Sequence, residues 1–305
     1  MLGIIGELLE LLLFIVTYYV TEIVYFVCRS RPRKSFAGQS VLVTGGARGM
    51  GALYCWRFAE MGCTVHCVDV DEAATNALVG ELTAAKYTAH GYVCDVRDWD
   101  KLTELKENVE QNTPSGVDLL INNAGVYIGK SLLDLTPKQI AFTLDVNLLG
   151  QMYVTKQFLP GMKKRGLGHI VNIASIAGYL YATNGSDYSA SKTGSVGFSE
   201  CLQLELADSD IKVTFVCPWA VRTPLIEGIH IKVDKMFPMM EPERVVNEVI
   251  LGAREDKERI FVPSHIQGMY VLKTLLPAKV FDAIGVITGS NECIKDDFKG
   301  RDWSK

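Results

Sequence analysis

A tyrosine and a lysine stand four residues apart in the stretch SDYSASKTG, residues 186–194, with only small residues between them. On a helix, residues i and i+4 share one face, so Lys192 is predicted to lie beside Tyr188. A phenol has a pKa near 10 and is a poor base at neutral pH, whereas an adjacent ammonium favours the phenolate. At an effective dielectric of about 20, charges about 4 Å apart interact by about 4 kcal/mol, a ceiling of roughly three pKa units. The spacing therefore predicts a tyrosine suited to general acid–base catalysis.

A second set of residues is typical of dinucleotide binding. A β-branched run at residues 41–44 leads into a loop that holds Gly45, Gly49 and Gly51, and a helical stretch then leads to a second strand at 64–70. In such a βαβ unit the glycines permit a tight turn, close approach of the backbone to a pyrophosphate and close packing of helix on strand. The first N–H groups of the helix then face the phosphates.

The end of the second strand bears on the choice of cofactor. Asp69 stands there, where its carboxylate can accept hydrogen bonds from an adenosine ribose. The carboxylate of Asp69 should repel the 2′-phosphate of NADP, and residues 70–72 contain no cation that would offset this repulsion. Arg48 could reach that phosphate from the glycine loop, or it is simply a solvated loop residue. The predicted cofactor is NAD, and NADP remains the alternative.

Strand-like and helical stretches alternate along the chain, as an α/β protein requires. The β-branched runs lie at residues 40–44, 64–70, 92–96, 118–125, 169–175 and 211–218. The alternation predicts a single doubly wound Rossmann domain with a parallel sheet, whose ligands bind at the carboxyl ends of the strands.

Five short motifs occur together in one order. They are TGxxxGxG in the glycine loop, NNAG at 122–125, Asn147 in DVNLLG, Ser175 in IVNIASIAG, and the pair Tyr188-x-x-x-Lys192. This set resembles the short-chain dehydrogenase/reductase family over about residues 38–265. The resemblance implies seven parallel strands with helices on both faces. The apolar N-terminus and the sequence FKGR at 298–301 resemble the membrane-bound branch that holds retinol and 17-beta-hydroxysteroid dehydrogenases.

The resemblance also assigns roles. Tyr188 would take the proton of an alcohol as hydride leaves for the nicotinamide, and Ser175 would hold the substrate oxygen. Lys192 would also bind the nicotinamide ribose, and Asn147 would hold a water that relays protons from it. The cofactor-binding residues predicted in this way are Gly45, Arg48, Gly49, Met50, Gly51, Asp69, Asp95, Val96, Asn123, Ala124, Gly125, Tyr188, Lys192, Pro218, Val221 and Thr223. Trp219 departs from the family pattern, in which glycine commonly follows the proline, and its bulk would narrow the site.

Composition excludes some other classes. The net charge is −4, so the general basic face of a nucleic-acid binder is not expected. The eight cysteines and five histidines are dispersed, and none has the spacing of a zinc site, so no metal is predicted. The cysteines are interpreted as reduced and mostly buried, in keeping with a cytosol-facing domain.

The N-terminus has a separate character. Residues 11–28 contain one charged side chain, Glu22, and the basic cluster RSRPRK follows at 29–34. The positive-inside rule places that cluster and the following domain in the cytosol. Glu7, Glu10 and Glu22 count against a simple deep span, so a single span, an interfacial helix or a hairpin stay open. A core helix of a soluble domain is the remaining alternative. The favoured prediction is a membrane-anchoring helix at the endoplasmic reticulum or a lipid droplet.

The predicted organisation has four parts: membrane anchor 1–28, basic linker 29–39, catalytic domain 40–265 and C-terminal helical tail 266–305. The segment 225–240 stands where the family carries its substrate lid. Its apolar side chains would suit an apolar substrate or would belong to ordinary core packing; they are Ile229, Ile231, Met236, Phe237, Met239 and Met240. In residues 266–287, the apolar spacing predicts an amphipathic helix followed by a second helix.

Together these features predict NAD-dependent oxidation of a lipophilic alcohol, a retinol or hydroxysteroid, by a membrane-associated enzyme. A homodimer is possible, since the family often dimerises. One alternative is an NADPH-dependent reductase of retinal or 3-oxo lipids. Another is a non-catalytic scaffold on a membrane or lipid droplet that binds the cofactor without turnover.

Overall fold

The computed structural model describes residues 12–13, 16–17, 20–21, 31–181, 183–228 and 238–288. The chain divides into two compact units, residues 1–35 and 36–305. In the first unit, the described residues before position 22 are helical and exposed. Most of the predicted anchor lies outside the described residues. Within the ranges just given, no helix combines the length and apolarity needed to cross a membrane.

The second unit is built on a seven-stranded sheet in which every neighbouring pair is parallel, in the order β3-β2-β1-β4-β5-β6-β7. The strands are β1 (Ser40–Thr44), β2 (Thr64–Asp69), β3 (Ala89–Val93), β4 (Leu119–Asn122), β5 (Gly168–Ile173), β6 (Ile211–Pro218) and β7 (Arg259–Val262). The order reverses between β1 and β4, which creates the crevice where ligands of such sheets bind. The predicted α/β Rossmann domain with a parallel sheet is confirmed.

Helices connect the strands. They are α1 (Gly49–Glu60), α2 (Glu72–Ala84), α3 (Trp99–Asn112), α4 (Pro137–Leu144), α5 (Gly150–Arg165), α6 (Ser186–Glu205), α7 (Pro242–Arg254), α8 (Gln267–Leu275) and α9 (Ala278–Thr288). Several begin at side-chain caps, as at α4, where Thr136 and Gln139 form a reciprocal capping box. A single π-helical turn, Asp145–Leu149, joins α4 to α5. The two helices predicted for the C-terminal tail form as α8 and α9.

The core lies on both faces of the sheet because successive strand residues point to opposite sides. In β1, Val41 and Val43 join one cluster with Phe58 of α1, while Leu42 joins the other with Phe158 of α5. Burying each such side chain stabilises the fold by about 1.5–3 kcal/mol. Both faces are therefore anchored, and the carboxyl edge of the sheet is held in place. The described cysteines are free and, apart from Cys201, buried, as predicted.

Candidate active site

The hydroxyl of Ser175 and the phenol of Tyr188 meet at the carboxyl edge of the sheet. Ser175 follows β5, and its Oγ accepts a hydrogen bond from the backbone N–H of Ala177 at 3.1 Å, which fixes the side chain. Tyr188 lies in the first turn of α6, and its phenol lies near the Ser175 side chain, whose interaction with it lowers the pKa of the phenol. A substrate oxygen held there would face two hydroxyl groups at once.

Lys192 lies one turn further along α6, as the spacing predicts. Its Nζ is 5.7 Å from the centre of the Tyr188 ring and donates to the carbonyl of Ile173 at 2.8 Å. The side chain is 4% exposed. Burial lowers the pKa of Lys192 from 10.5 to about 8, although Cys217 raises it to a smaller extent. The helix thus places a buried amine beside the phenol, at the end of β5.

The expected lowering of the tyrosine pKa is wrong for this structure. Burial raises the pKa of Tyr188 to about 12, and the interaction with the Ser175 side chain offsets only part of that increase. The spacing argument assumed an ammonium within about 4 Å in a polarisable medium. Here the amine points to the Ile173 carbonyl, so desolvation of the phenolate outweighs attraction to the lysine.

Asn147 is buried in the π-helical turn and ties three segments together. Its Oδ1 accepts from the Val126 N–H at 2.7 Å, and its Nδ2 donates to the Val126 carbonyl at 3.0 Å. The same Nδ2 donates to Ser191 Oγ at 3.0 Å, and Ser191 in turn donates to the Tyr188 carbonyl. The amide therefore fixes the loop after β4 against helix α6. Its predicted role in proton relay remains a proposal.

Tyr127 was not predicted as a site residue, yet it contacts Tyr188 directly. Its ring meets that of Tyr188 edge to face, with ring centres 5.0 Å apart. Its hydroxyl donates to the carbonyl of Asn184, one of the few non-glycine residues with positive φ, just before α6. Tyr127 thus holds both the ring and the turn that leads into the helix. The signal was available, because this aromatic residue is the second residue after the NNAG motif.

The glycine loop is built as the sequence predicts. Gly45 and Gly49 have positive φ, which non-glycine residues rarely adopt. Asn123 donates from Nδ2 to the carbonyls of Thr44 and Gly45, both at 3.0 Å, so it locks the turn after β1. The predicted cofactor residue Asn123 therefore also braces the loop itself.

Gly51 is expected to tolerate no side chain, because a Cβ there would lie 1.9 Å from the Gly45 carbonyl oxygen, a backbone atom. We expect Gly51→Ala to lower the free energy of unfolding by at least about 2 kcal/mol and to abolish cofactor binding. Gly80→Ala is the matched control. Gly80 is an exposed residue of helix α2, and no atom lies within 4 Å of the Cβ that the substitution would add. It should stabilise the protein by about 1 kcal/mol. Urea denaturation of both variants tests this, and equal stabilities would contradict the packing argument.

Asp69 ends β2 with its carboxylate held in place. Its Oδ2 accepts from the Ala47 N–H and its Oδ1 from the Asp71 N–H, both at 3.1 Å. Arg48 forms an ion pair with Asp71, with Nε 3.1 Å from Oδ2 and Nη2 in contact with the same oxygen. The pairing of Arg48 with Asp71 was not anticipated from sequence.

The glycine loop and the cluster of Ser175, Tyr188 and Lys192 line one cavity of about 820 Å³. Of the predicted site residues, Gly51 and Asn147 are not part of its lining, and the others line it: Gly45, Arg48, Gly49, Met50, Asp69, Asp95, Val96, Asn123, Ala124, Gly125, Ser175, Tyr188, Lys192, Pro218, Val221 and Thr223. Asp95 is held by Arg97, and that ion pair contributes to a lowered pKa of the carboxyl despite its burial. Trp219 also lines the cavity, and this is the position that its bulk must occupy if it narrows the site as predicted.

The proposed lid is described only in part. Residues 229–237, with four of its six named apolar side chains, lie outside the described residues. Met240 is buried in the core cluster and pairs with Val221 in a short bridge, so it supports the cavity wall. Leu225 and Ile226, at the start of the segment, line the cavity.

Comparison with known proteins shows to which family the chain belongs. Residues 39–233 match the family described as short chain dehydrogenase. The chain belongs to the short-chain dehydrogenase family.

Relatives within this family match most of the chain. Epidermal retinol dehydrogenase 2 of Mus musculus is 34% identical over 277 residues, which cover 88% of this chain and 89% of the relative. 17-beta-Hydroxysteroid dehydrogenase 13 of Homo sapiens is 32% identical over 281 residues, covering 91% and 92%. A solved short chain dehydrogenase/reductase from Burkholderia phymatum, in complex with NAD, superposes with a TM-score of 0.72 at 25% identity, covering 79% and 94%. The predicted resemblance to this family is confirmed.

As a short-chain dehydrogenase, the chain is an NAD(P)-dependent oxidoreductase that acts on alcohol groups. The described residues fit such a cofactor. Two glycines with positive φ leave the loop backbone uncovered at one wall of the cavity, and an oriented carboxylate stands at the end of β2. Backbone N–H donors for a pyrophosphate and a carboxylate acceptor for the hydroxyls of an adenosine ribose are the groups expected at such a site.

Proposed function

We propose that this short-chain dehydrogenase oxidises a lipophilic alcohol, of the retinol or hydroxysteroid class, to its carbonyl with NAD. The observation that best supports this proposal is that Ser175, Tyr188 and Lys192 line one cavity together with Asp69, with the Lys192 amine one helical turn from the Tyr188 ring. The cofactor, when bound, supplies the hydride acceptor. The residues of the chain orient the alcohol and manage its proton.

In this proposal Ser175 Oγ holds the substrate oxygen and Tyr188 Oη receives the alcohol proton. Lys192 and Asn147 help to position that phenol. Lys192 does so from the same helix, α6, and Asn147 does so through its hydrogen bond to Ser191, which in turn donates to the Tyr188 carbonyl. Proton acceptance requires the phenolate, which burial disfavours at neutral pH. The oxidation rate is therefore expected to increase with pH.

An apolar substrate is supported by the side chains near the catalytic cluster. Those that line the cavity there include Val126, Tyr127, Ile176, Leu180, Trp219, Leu225 and Ile226. They offer little to a charged or sugar-like substrate, since a buried polar group without a partner is destabilised. The named activities of the retinol and hydroxysteroid dehydrogenase relatives support the same substrate class.

NAD is supported over NADP by the charges around Asp69. Asp69 and Asp71 are both carboxylates at the end of β2, and Arg48 is already paired with Asp71. One observation favours the alternative direction, carbonyl reduction, because a phenol with a raised pKa is a ready proton donor at neutral pH. A non-catalytic scaffold is disfavoured by the assembled cluster of Ser175, Tyr188 and Lys192.

We also propose that residues 1–28 anchor the enzyme to the endoplasmic reticulum or a lipid droplet, with the catalytic domain facing the cytosol. The apolar run at 11–28 and the basic residues that follow support this proposal. A membrane would concentrate a lipophilic alcohol near the cavity. The segment boundaries predicted from the sequence, and a homodimer, remain proposals as well.

A panel of retinoids and hydroxysteroids, assayed in membranes with the full-length protein and each cofactor, tests the proposal. We expect alcohol oxidation with NAD at least about tenfold more efficient than with NADP. Turnover of retinal or 3-oxo lipids with NADPH alone would favour the reductase. Absence of turnover with every pair, while cofactor still binds, would favour the scaffold.

A further inference from the structure

An ion pair that no catalytic step uses stands at the glycine loop. The guanidinium of Arg48, the residue before α1, contacts Oδ2 of Asp71 through both Nε and Nη2. The Arg48 side chain is 51% exposed and that of Asp71 is 27% exposed. Both residues line the cavity beside Asp69. Arg48, a cation that lines the cavity together with the predicted ribose-binding carboxylate, is therefore already engaged by a second carboxylate.

Asp71 cannot move aside without loss, because its other oxygen is occupied. Oδ1 accepts from the Ala74 N–H at 2.9 Å and caps helix α2. An N-cap side chain typically stabilises a helix, so this carboxylate is fixed by a bond independent of the arginine. The ion pair alone is weak, since partly exposed pairs contribute little. The effect that does not depend on the strength of this ion pair is the negative charge of Asp71, which the helix cap holds close to Arg48.

The balance of charge follows from these contacts. Asp69, Asp71 and Arg48 together carry one net negative charge. A 2′-phosphate adds more negative charge and would have to share Arg48 with a carboxylate that stays in place. Arg97, another cation that lines the cavity, is engaged by Asp95 through Nε at 3.0 Å and Nη2 at 2.6 Å.

We propose that Asp71 is a specificity-determining residue, which excludes 2′-phosphorylated adenine nucleotides by holding Arg48 and adding its own charge. This inference rests on the proposed dinucleotide site and goes beyond it by naming the residue that restrains the arginine. Loss of the Asp71 charge frees a guanidinium that matches phosphate geometry. Arg48 then becomes a binding group for the 2′-phosphate.

Calorimetric titration of the full-length protein with 5′-ADP and with 2′,5′-ADP tests this without turnover. Asp71→Asn and Asp71→Ser both keep a side chain that can cap α2. We expect each variant to bind 2′,5′-ADP at least about tenfold more tightly than the unmodified protein and to bind 5′-ADP within about threefold of it. The gain should disappear in the double variant Arg48→Ala with Asp71→Asn.

The outcomes separate this inference from the proposed site. Failure of the unmodified protein to bind either nucleotide would overturn the dinucleotide site and the inference with it. Normal 5′-ADP binding with no gain for 2′,5′-ADP in either single variant would overturn the role of Asp71 alone. A gain that survives in the double variant would show that Arg48 is not the group released.

Discussion

Tyr188→Phe is expected to reduce the turnover rate for alcohol oxidation by about 1000-fold while cofactor affinity stays unchanged. The substitution removes only the phenolic oxygen, which interacts with the Ser175 side chain and is the group proposed to accept the alcohol proton. General acid–base groups contribute about 10²–10⁴-fold to enzymatic rates. The ring still packs edge to face against Tyr127, so the site keeps its shape. Steady-state kinetics and a cofactor titration on the same preparation measure both quantities.

The pH dependence sharpens this test. Because the pKa of Tyr188 is raised to about 12, the phenolate fraction increases with pH throughout the range in which the enzyme is assayed. Oxidation by the unmodified enzyme should therefore accelerate with pH, and the residual rate of Tyr188→Phe should not follow that slope. Tyr153→Phe is the control, since that tyrosine lies on α5 against Trp99. Retention of more than about a tenth of the activity by Tyr188→Phe would exclude the phenol as the proton acceptor.

The order of elements and the face shared by Tyr188 and Lys192 could be predicted because both follow from local spacing. Helical periodicity places i and i+4 together wherever the helix packs. Parallel strands bring their carboxyl ends to one edge, so Asp69 and Ser175 had to line the same cavity. These are geometric consequences of regular structure, and they hold without knowledge of side-chain packing.

The electrostatics of the site could not be predicted in the same way. The pKa of Tyr188 depends on how completely the surrounding segments exclude water, which no spacing encodes. The direction of the Lys192 amine depends on the Ile173 carbonyl, a partner 19 positions earlier in the chain. The pairing of Arg48 with Asp71 likewise joins two loops that are adjacent only in the folded sheet. Tertiary contacts decide each of these, and so they emerge only from the structure.

Lys192→Met is expected to abolish activity and at the same time to stabilise the protein at pH 7 by about 1–3 kcal/mol. Lowering the lysine pKa from 10.5 to about 8 by burial corresponds to about 3 kcal/mol of unfavourable free energy for the charged form. Methionine fills a similar volume without a charge. The Ile173 carbonyl keeps a donor after the substitution, because Gln151 Nε2 also donates to it at 3.2 Å. Burial of the Lys192 amine is therefore expected to destabilise the folded protein.

The pH dependence of the stability gain in Lys192→Met tests whether burial of the lysine charge is its cause. Below pH 8 the lysine is charged in both the folded and the unfolded protein, so the full burial penalty is present. Between pH 8 and 10.5 the folded protein binds fewer protons than the unfolded one, and the unmodified protein gains stability as pH rises. The advantage of Lys192→Met should consequently shrink between urea denaturations at pH 7 and at pH 10. Lys163→Met, on the exposed face of α5, should change stability by less than about 0.5 kcal/mol. A less stable Lys192→Met protein, with a difference independent of pH, would mean that the amine is not a buried cation.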